Sequence, residues 1–264
     1  MTFFIKIVLL LYVLPFFVLA KTALKPGDYQ SVKEKIVLTA AIEEVGYFPF
    51  NYNENGEIKG FSVDVLNYIE ANSKYDFEFI ILPWPRALHL VKTGKVDLIL
   101  TLFKTTKREQ TYHFIEPNYG SEMNQLFTLV ENEFEYSGQL QQLAPYSIGT
   151  VREYSYGKEF DSANYLNKLP ALTEEVLVKL LLAERIDMMV GNPLAFKDII
   201  SKMNVKSKIK AIKPYIALTP VHMAMTRERE DSQEIKETFK KLIKQLKASL
   251  YYQELLVKYQ LNFK

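Results

Sequence analysis

Laying Asp97 over Asp187, 90 residues apart, brings LHLVKTGKVDLIL over VKLLLAERIDMMV. Both segments read as an amphipathic helix, a basic residue, an aliphatic, an Asp and then a buried strand. A helix feeding a buried strand is the second half of a βαβ unit, so two such segments in separate regions of one chain point to two comparable α/β lobes. The remaining pattern agrees. In the first region the apolar run 36–42 (IVLTAAI) has strand length, and residues 61–72 predict a helix with Ser62 as N-cap and Phe61 stapled to Leu66. A strand over 77–82, a helix opened by Pro85 and a strand over 97–101 follow. The second region starts with SIGTV as a strand near Ser147, continues through a helix over 173–183 and reaches a strand at 188–190. Asp231 and Glu234 have capping-box spacing, and Ile235, Phe239, Leu242, Ile243 and Leu246 then keep helical spacing, so the chain closes on a long amphipathic helix and a shorter one around Tyr252.

Composition removes several classes of function. Lys and Arg number 33 against 31 Asp and Glu, too even a balance for a chain that tracks a polyanion by net charge, so no nucleic-acid partner is expected. With 48% hydrophobic and 24% charged residues, neither disorder nor a multi-span membrane protein fits. The chain has no Cys, which excludes disulfides, thiolate metal sites and thiol nucleophiles. His89, His113 and His222 follow no metal-ligand spacing, and no nucleophile elbow or phosphate-cradling glycine loop occurs, so no cofactor or metal is expected. The first twenty residues place Lys6 ahead of the apolar run 7–19, with Val18 and Ala20 at the positions a signal peptidase reads. The expectation is an exported, periplasmic protein cleaved after Ala20. Losing Lys6 lowers the formal net charge from +2 to +1, so partners must be chosen by local sites.

The order GYFPFNYNENGEIKGFSVDVL, PWPRAL, GKVDLILTLFKTTKREQTYHFIEPNY, SIGTVREYSYGKEF and ERIDMMVGN resembles the family 3 periplasmic solute-binding proteins, the polar amino-acid receptors of ABC importers. The resemblance covers about residues 35–259. It implies a two-lobed, type II venus-flytrap α/β fold with two hinge strands, a ligand between the lobes and closure on binding. On that reading lobe 1 comprises residues 35–126 and 222–264, lobe 2 residues 131–218, and the hinges lie near 125–130 and 221–226. Carried over by position, Tyr47 and Trp84 are aromatic ligand contacts, Thr101 and Phe103 belong to a carboxylate-facing loop, and Arg108 of TTKREQ is the carboxylate clamp. In lobe 2, Val151, Glu153 and Ser155 fall in the closing loop, and Asn192 takes the place of the Asp that usually holds a ligand ammonium. Chemistry supports Arg108, because a planar guanidinium donates two parallel, charge-assisted hydrogen bonds to a carboxylate. Arg86 is read as a second anion contact, since a cation in the first turn of a helix is disfavoured by the helix dipole unless it has a use.

Three departures bear on the ligand. Asn192 is neutral, Phe103 lacks a hydroxyl, and Glu153 is large where the closing loop is usually small. The expected function is a monomeric receptor for a small carboxylate-bearing and amino-acid-like solute that is passed to a membrane permease. Two alternatives remain: a ligand receptor for a membrane sensory protein, and an enzyme of the cyclohexadienyl dehydratase type. The enzyme would need a positioned acid or base, for which Glu153 is the only carboxylate the sequence nominates.

Overall fold

The computed structural model describes residues 35–261, and the export segment expected over residues 1–20 lies outside them. The first region contains β1 (Ile36–Glu43), the hairpin β2 (Tyr52–Glu54) and β3 (Glu57–Lys59), α1 (Phe61–Ala71), β4 (Tyr75–Leu82), α2 (Trp84–Lys92), β5 (Leu98–Phe103), α3 (Thr106–Thr111) and β6 (His113–Phe114). Then β7 (Gly120–Leu129) leads into β8 (Ser147–Val151), α4 (Lys158–Ser162), β9 (Asn167–Ala171), α5 (Glu174–Leu182), β10 (Met188–Gly191) and α6 (Pro193–Lys202). The long β11 (Ile209–Met225) returns, and α7 (Ser232–Lys247) and α8 (Leu250–Lys258) finish the chain.

The strands are ordered β4-β1-β5-β11-β7-β10-β8-β9, with β6 beside β11. Pairing is parallel within β4-β1-β5 and within β10-β8-β9, and antiparallel through β11 and β7. This is a two-lobed α/β fold, each lobe built on a parallel sheet buried on both faces. Burial on both faces is why β1 is an unbroken apolar run. Leu38, Ala40 and Ile42 face the core under α1, α7 and α8, while Ala41 faces the opposite core under α2. Lobe 2 repeats the plan, with one core under α5 and α6 and another around α4.

Among the described residues, only β7 and β11 run through both lobes. Gln125–Phe127 of β7 is tied to β10, and Val221–Met225 of β11 is tied to β5. Between them residues 121–124 and 217–220 pair with each other alone, and β11 shifts register between Ile212 and Ala217. The narrowest connection is therefore this two-stranded stretch, next to the segments 125–130 and 221–226 read from the sequence.

The internal repeat is exact at its anchors. The Asp97 carboxylate accepts the backbone N–H and hydroxyl of Thr39, both at 2.8 Å, and its own N–H reaches the Thr39 hydroxyl at 2.9 Å. The Asp187 carboxylate accepts the N–H and hydroxyl of Ser147 at 2.7 and 2.6 Å, and its N–H reaches that hydroxyl at 2.9 Å. Each Asp thus pins the end of a helix-to-strand connection onto the neighbouring parallel strand. The helices before them also end alike, on Gly94 and Glu184, both left-handed at φ 71° and 53°.

Two cap assignments change. Gly60, at φ 133°, precedes α1, and a Cβ there would lie 2.2 Å from the Phe50 carbonyl oxygen. Ser62 is therefore inside the first turn, where its buried hydroxyl bonds Tyr119 at 2.7 Å, and the Phe61–Leu66 staple loses its frame. Asp231 does precede α7, but its carboxylate is taken by Arg229 at 2.7 and 2.9 Å, and Glu234 pairs with Lys74 at 2.5 Å, so no capping box forms.

Candidate functional site

The chain between β1 and β2, the β5–α3 connection and the loop after β8 all leave the carboxyl ends of parallel strands, where open α/β sheets place ligands. They meet across the interlobe cleft. Tyr47, Trp84, Thr101, Phe103, Arg108 and Ser155 line one cavity there, together with Ala41, Ile42, Glu43, Asn51, Glu122 and Tyr154.

Arg108 is brought to the cleft because Thr105 caps α3 and accepts the Arg108 N–H at 3.3 Å. Its guanidinium donates to the Phe103 carbonyl at 3.0 Å and across the cleft to the Glu153 carbonyl at 2.7 Å. Trp84 Nε1 donates to the same Glu153 carbonyl at 3.3 Å. Burial lowers the Arg108 pKa from its ordinary value, yet guanidinium remains charged at any physiological pH. Glu153 serves through its backbone: at φ 64° it aims its carbonyl at Arg108 and Trp84, while its side chain is exposed. Val151 is buried, and the Ser155 hydroxyl donates to Asp161. Thr101 lies within hydrogen-bond distance of Ser62 (3.2 Å), Tyr119 (3.3 Å) and the Asn51 amide (3.4 Å).

Arg86 and Asn192 are not brought to this cavity. Arg86 is exposed in the first turn of α2. Asn192 is 2% exposed and caps α6, its amide oxygen accepting the Leu194 N–H at 2.8 Å. The capping geometry that Asn-Pro supplies at a helix start turns the amide onto its own helix.

Tyr154, unread in the sequence, occupies the centre. Its ring stands edge-on to Tyr47 (centroids 5.8 Å, 88°) and to Trp84 (5.7 Å, 77°), and its hydroxyl donates to Glu43. About 40 Å³ of free space remains beside it, room for a few waters. A solute of amino-acid size therefore enters only if Tyr154 withdraws or the lobes part. On either side the cleft widens, to about 590 Å³ past Arg108 and about 400 Å³ past Glu43 and Asn51.

Three acids also escaped the sequence reading, which nominated Glu153 alone among the carboxylates. Glu43 ends β1, Glu122 lies in the two-stranded connection, and Glu174 opens α5; they are 8%, 2% and 5% exposed. Tyr47 donates to Glu122 at 2.6 Å. Burial, reinforced by the charge of Glu174, pushes Glu43 and Glu122 up to about 8, and burial pushes Glu174 up to about 7. The signal that could have found them is positional: an acid at a strand's carboxyl end, and one inside an otherwise apolar crossing strand.

The family model for bacterial extracellular solute-binding proteins, family 3, matches residues 38–262. The chain belongs to this family. Among curated relatives of this family 3 protein are the probable amino-acid-binding protein YxeM of Bacillus subtilis (strain 168), 29% identical over 92 residues, and the putative amino-acid ABC transporter-binding protein PatH of Vibrio harveyi, 29% identical over 72. These matches span 34% of this chain and 34% of YxeM, and 27% of this chain and 29% of PatH, so the chain aligns with about a third of each relative's length. Among solved structures, a histidine kinase sensor domain with similarity to periplasmic binding proteins superposes with a TM-score of 0.75 at 17% identity, covering 86% of this chain and 97% of that one.

The raised carboxyls give this family 3 protein a defined pH response. Their folded pKa values lie above the ordinary 4.5, so between about 4.5 and 8 the folded state holds protons that the unfolded state has lost. Their stabilising protonation is complete below the lower value and is lost as pH rises through 7–8. The melting temperature in ligand-free buffer is therefore expected to fall from pH 5 to pH 8.5. Glu174→Gln should flatten that slope in differential scanning fluorimetry. An equal slope in wild type and variant would contradict the assignment.

Proposed function

We propose that this chain is an exported receptor that binds a small carboxylate-bearing, amino-acid-like solute between its lobes and delivers it to the membrane permease of an ABC importer. The observation that carries the reading is Arg108, a guanidinium on the wall of the interlobe cavity that already spans from lobe 1 to a lobe 2 carbonyl. A carboxylate set against it would receive parallel charge-assisted bonds, while Tyr47, Trp84 and Phe103 supply apolar walls. Residues 121–124 and 217–220, joined only to each other, serve as the hinge about which the lobes close. The amino-acid-binding relatives YxeM and PatH support the solute class and, for PatH, the importer.

A thermal-shift screen across amino acids and small organic acids tests this, because a compound that binds only the folded state raises the melting temperature. At least one carboxylate-bearing compound should raise it by several degrees. A flat response across the panel would overturn the receptor reading. The acids of the cleft also give a second reading a specific basis, since buried carboxyls near pH 7–8 are suited to general acid-base catalysis. Turnover of prephenate or arogenate by the purified protein would establish that reading in place of transport.

A further inference from the structure

Tyr154 leaves lobe 2 on the loop after β8, yet its ring packs against the core of lobe 1 as well as both cores of lobe 2. Its partners on the lobe 1 side are groups that line the central cavity: the ring stands edge-on to Tyr47 and Trp84, and the hydroxyl donates to Glu43. The preceding residue adds two more contacts, because the Glu153 carbonyl accepts from Arg108 at 2.7 Å and from Trp84 at 3.3 Å. Two consecutive residues of lobe 2 thus engage the polar and aromatic groups that the lobe 1 wall offers to a solute. With about 40 Å³ left free beside the ring, Tyr154 and a solute of amino-acid size exclude one another.

Two features of the loop show that it is built to hold this position. It is pinned to lobe 2 on both sides of Tyr154: the Arg152 N–H donates to the Ala171 carbonyl at 2.9 Å, the Tyr156 hydroxyl accepts the Val151 N–H at 2.6 Å, and the Tyr156 N–H donates to Asp161 at 2.9 Å. The ring is therefore carried by lobe 2 as part of a fixed turn. Glu153, moreover, sits at φ 64°, a conformation disfavoured for a residue with a Cβ, and this φ is what aims its carbonyl at Arg108 and Trp84. Backbone strain is retained at the point where it brings the lobes into contact. The strands joining the lobes narrow to residues 121–124 and 217–220, so a few contacts across the cleft can set the balance between open and closed.

We infer that Tyr154 is an internal competitor, a latch that holds the lobes together by filling the solute's place and that a solute must displace in order to bind. This rests on the receptor reading and adds its regulation. Affinity is then set by the latch as well as by the solute's own contacts, because a protein whose binding-competent state is only fractionally populated binds more weakly by that fraction. A solute with too few contacts to displace the ring is rejected.

Distances between spin labels on the two lobes, measured by pulsed electron–electron resonance, test this. The chain has no Cys, so His89→Cys on α2 and Glu159→Cys on α4 supply its only thiols; both positions are exposed, and α2 and α4 flank the wide cavity past Arg108 from opposite lobes. In protein dialysed free of solute, the labelled chain with Tyr154 intact is expected to give one short distance. Tyr154→Ala should lengthen it by more than about 2 Å or spread it to longer values. Tyr154→Phe, which keeps the ring and loses only the bond to Glu43, should move it the same way by less, and it keeps the test open if the Ala variant does not fold. L-glutamate, L-glutamine, L-arginine, L-lysine, succinate and glutarate are then titrated calorimetrically into both proteins. Any of them that the wild type binds should bind Tyr154→Ala at least about threefold more tightly. Equal distances with and without the tyrosine, or equal or weaker binding by the variant, would overturn the latch and leave the receptor reading standing. If none of these compounds binds either protein, the distances alone decide the latch, and the receptor reading stands or falls on the thermal-shift panel.

Discussion

Asp97→Ala is expected to lower stability by about 1.5–3 kcal/mol, the range for losing hydrogen bonds to a charged group, here a part-buried one. The carboxylate satisfies the Thr39 N–H and hydroxyl and also receives Arg229 at 2.9 Å, so its loss leaves a strand N–H without its acceptor, while Arg229 keeps its bonds to Asp231. At roughly 2–4 °C per kcal/mol for a chain of this size, the melting temperature should fall by about 3–12 °C. Asp187→Ala removes the matching anchor of lobe 2, which has no arginine attached, and its effect should be smaller. Differential scanning calorimetry of the two variants checks both the size and the order. A drop of less than 1 kcal/mol for Asp97→Ala would mean that the repeated anchor is incidental to the fold.

That anchor also marks how far the sequence could be read. Asp97 and Asp187 were legible as a repeat because each follows a helix of ordinary period and precedes an apolar strand. Local pattern carries those properties. The α5 start at Thr173, which accepts the Val176 N–H at 3.3 Å, was legible for the same reason. The caps at Ser62 and Asp231 were misread because a tertiary partner, Tyr119 in one case and Arg229 in the other, claims the side chain that local spacing assigns to the helix.

The candidate site divides in the same way. Arg108, Tyr47 and Trp84 sit in short motifs just past strand ends and Thr101 lies near the carboxyl end of β5, so their convergence follows from the parallel sheet. Tyr154, Glu122 and Glu174 come from a closing loop, a crossing strand and a lobe 2 helix start. No spacing along the chain indicates that these three meet, because their proximity exists only once the lobes face each other. Glu153 lies in the closing loop, where a left-handed φ turns its carbonyl to the cleft while its side chain is exposed.

The second large effect concerns Arg108. Arg108→Ala removes both the carboxylate's donor and the bond that ties lobe 1 to the Glu153 carbonyl. Loss of a hydrogen bond to a charged group is worth about 1.5–3 kcal/mol, or about a 10- to 150-fold weaker Kd. Arg108→Lys should recover only part of it, because an ammonium cannot present the two parallel donors of the fork. Both variants should fold, since the guanidinium bonds backbone carbonyls at the cleft and takes no part in either lobe's core. The decisive measurement is isothermal titration of the best solute from the thermal-shift panel into wild type and Arg108→Ala side by side. A Kd at least tenfold weaker in the variant is expected. Equal affinity in the two proteins would contradict a solute held between the lobes by this guanidinium.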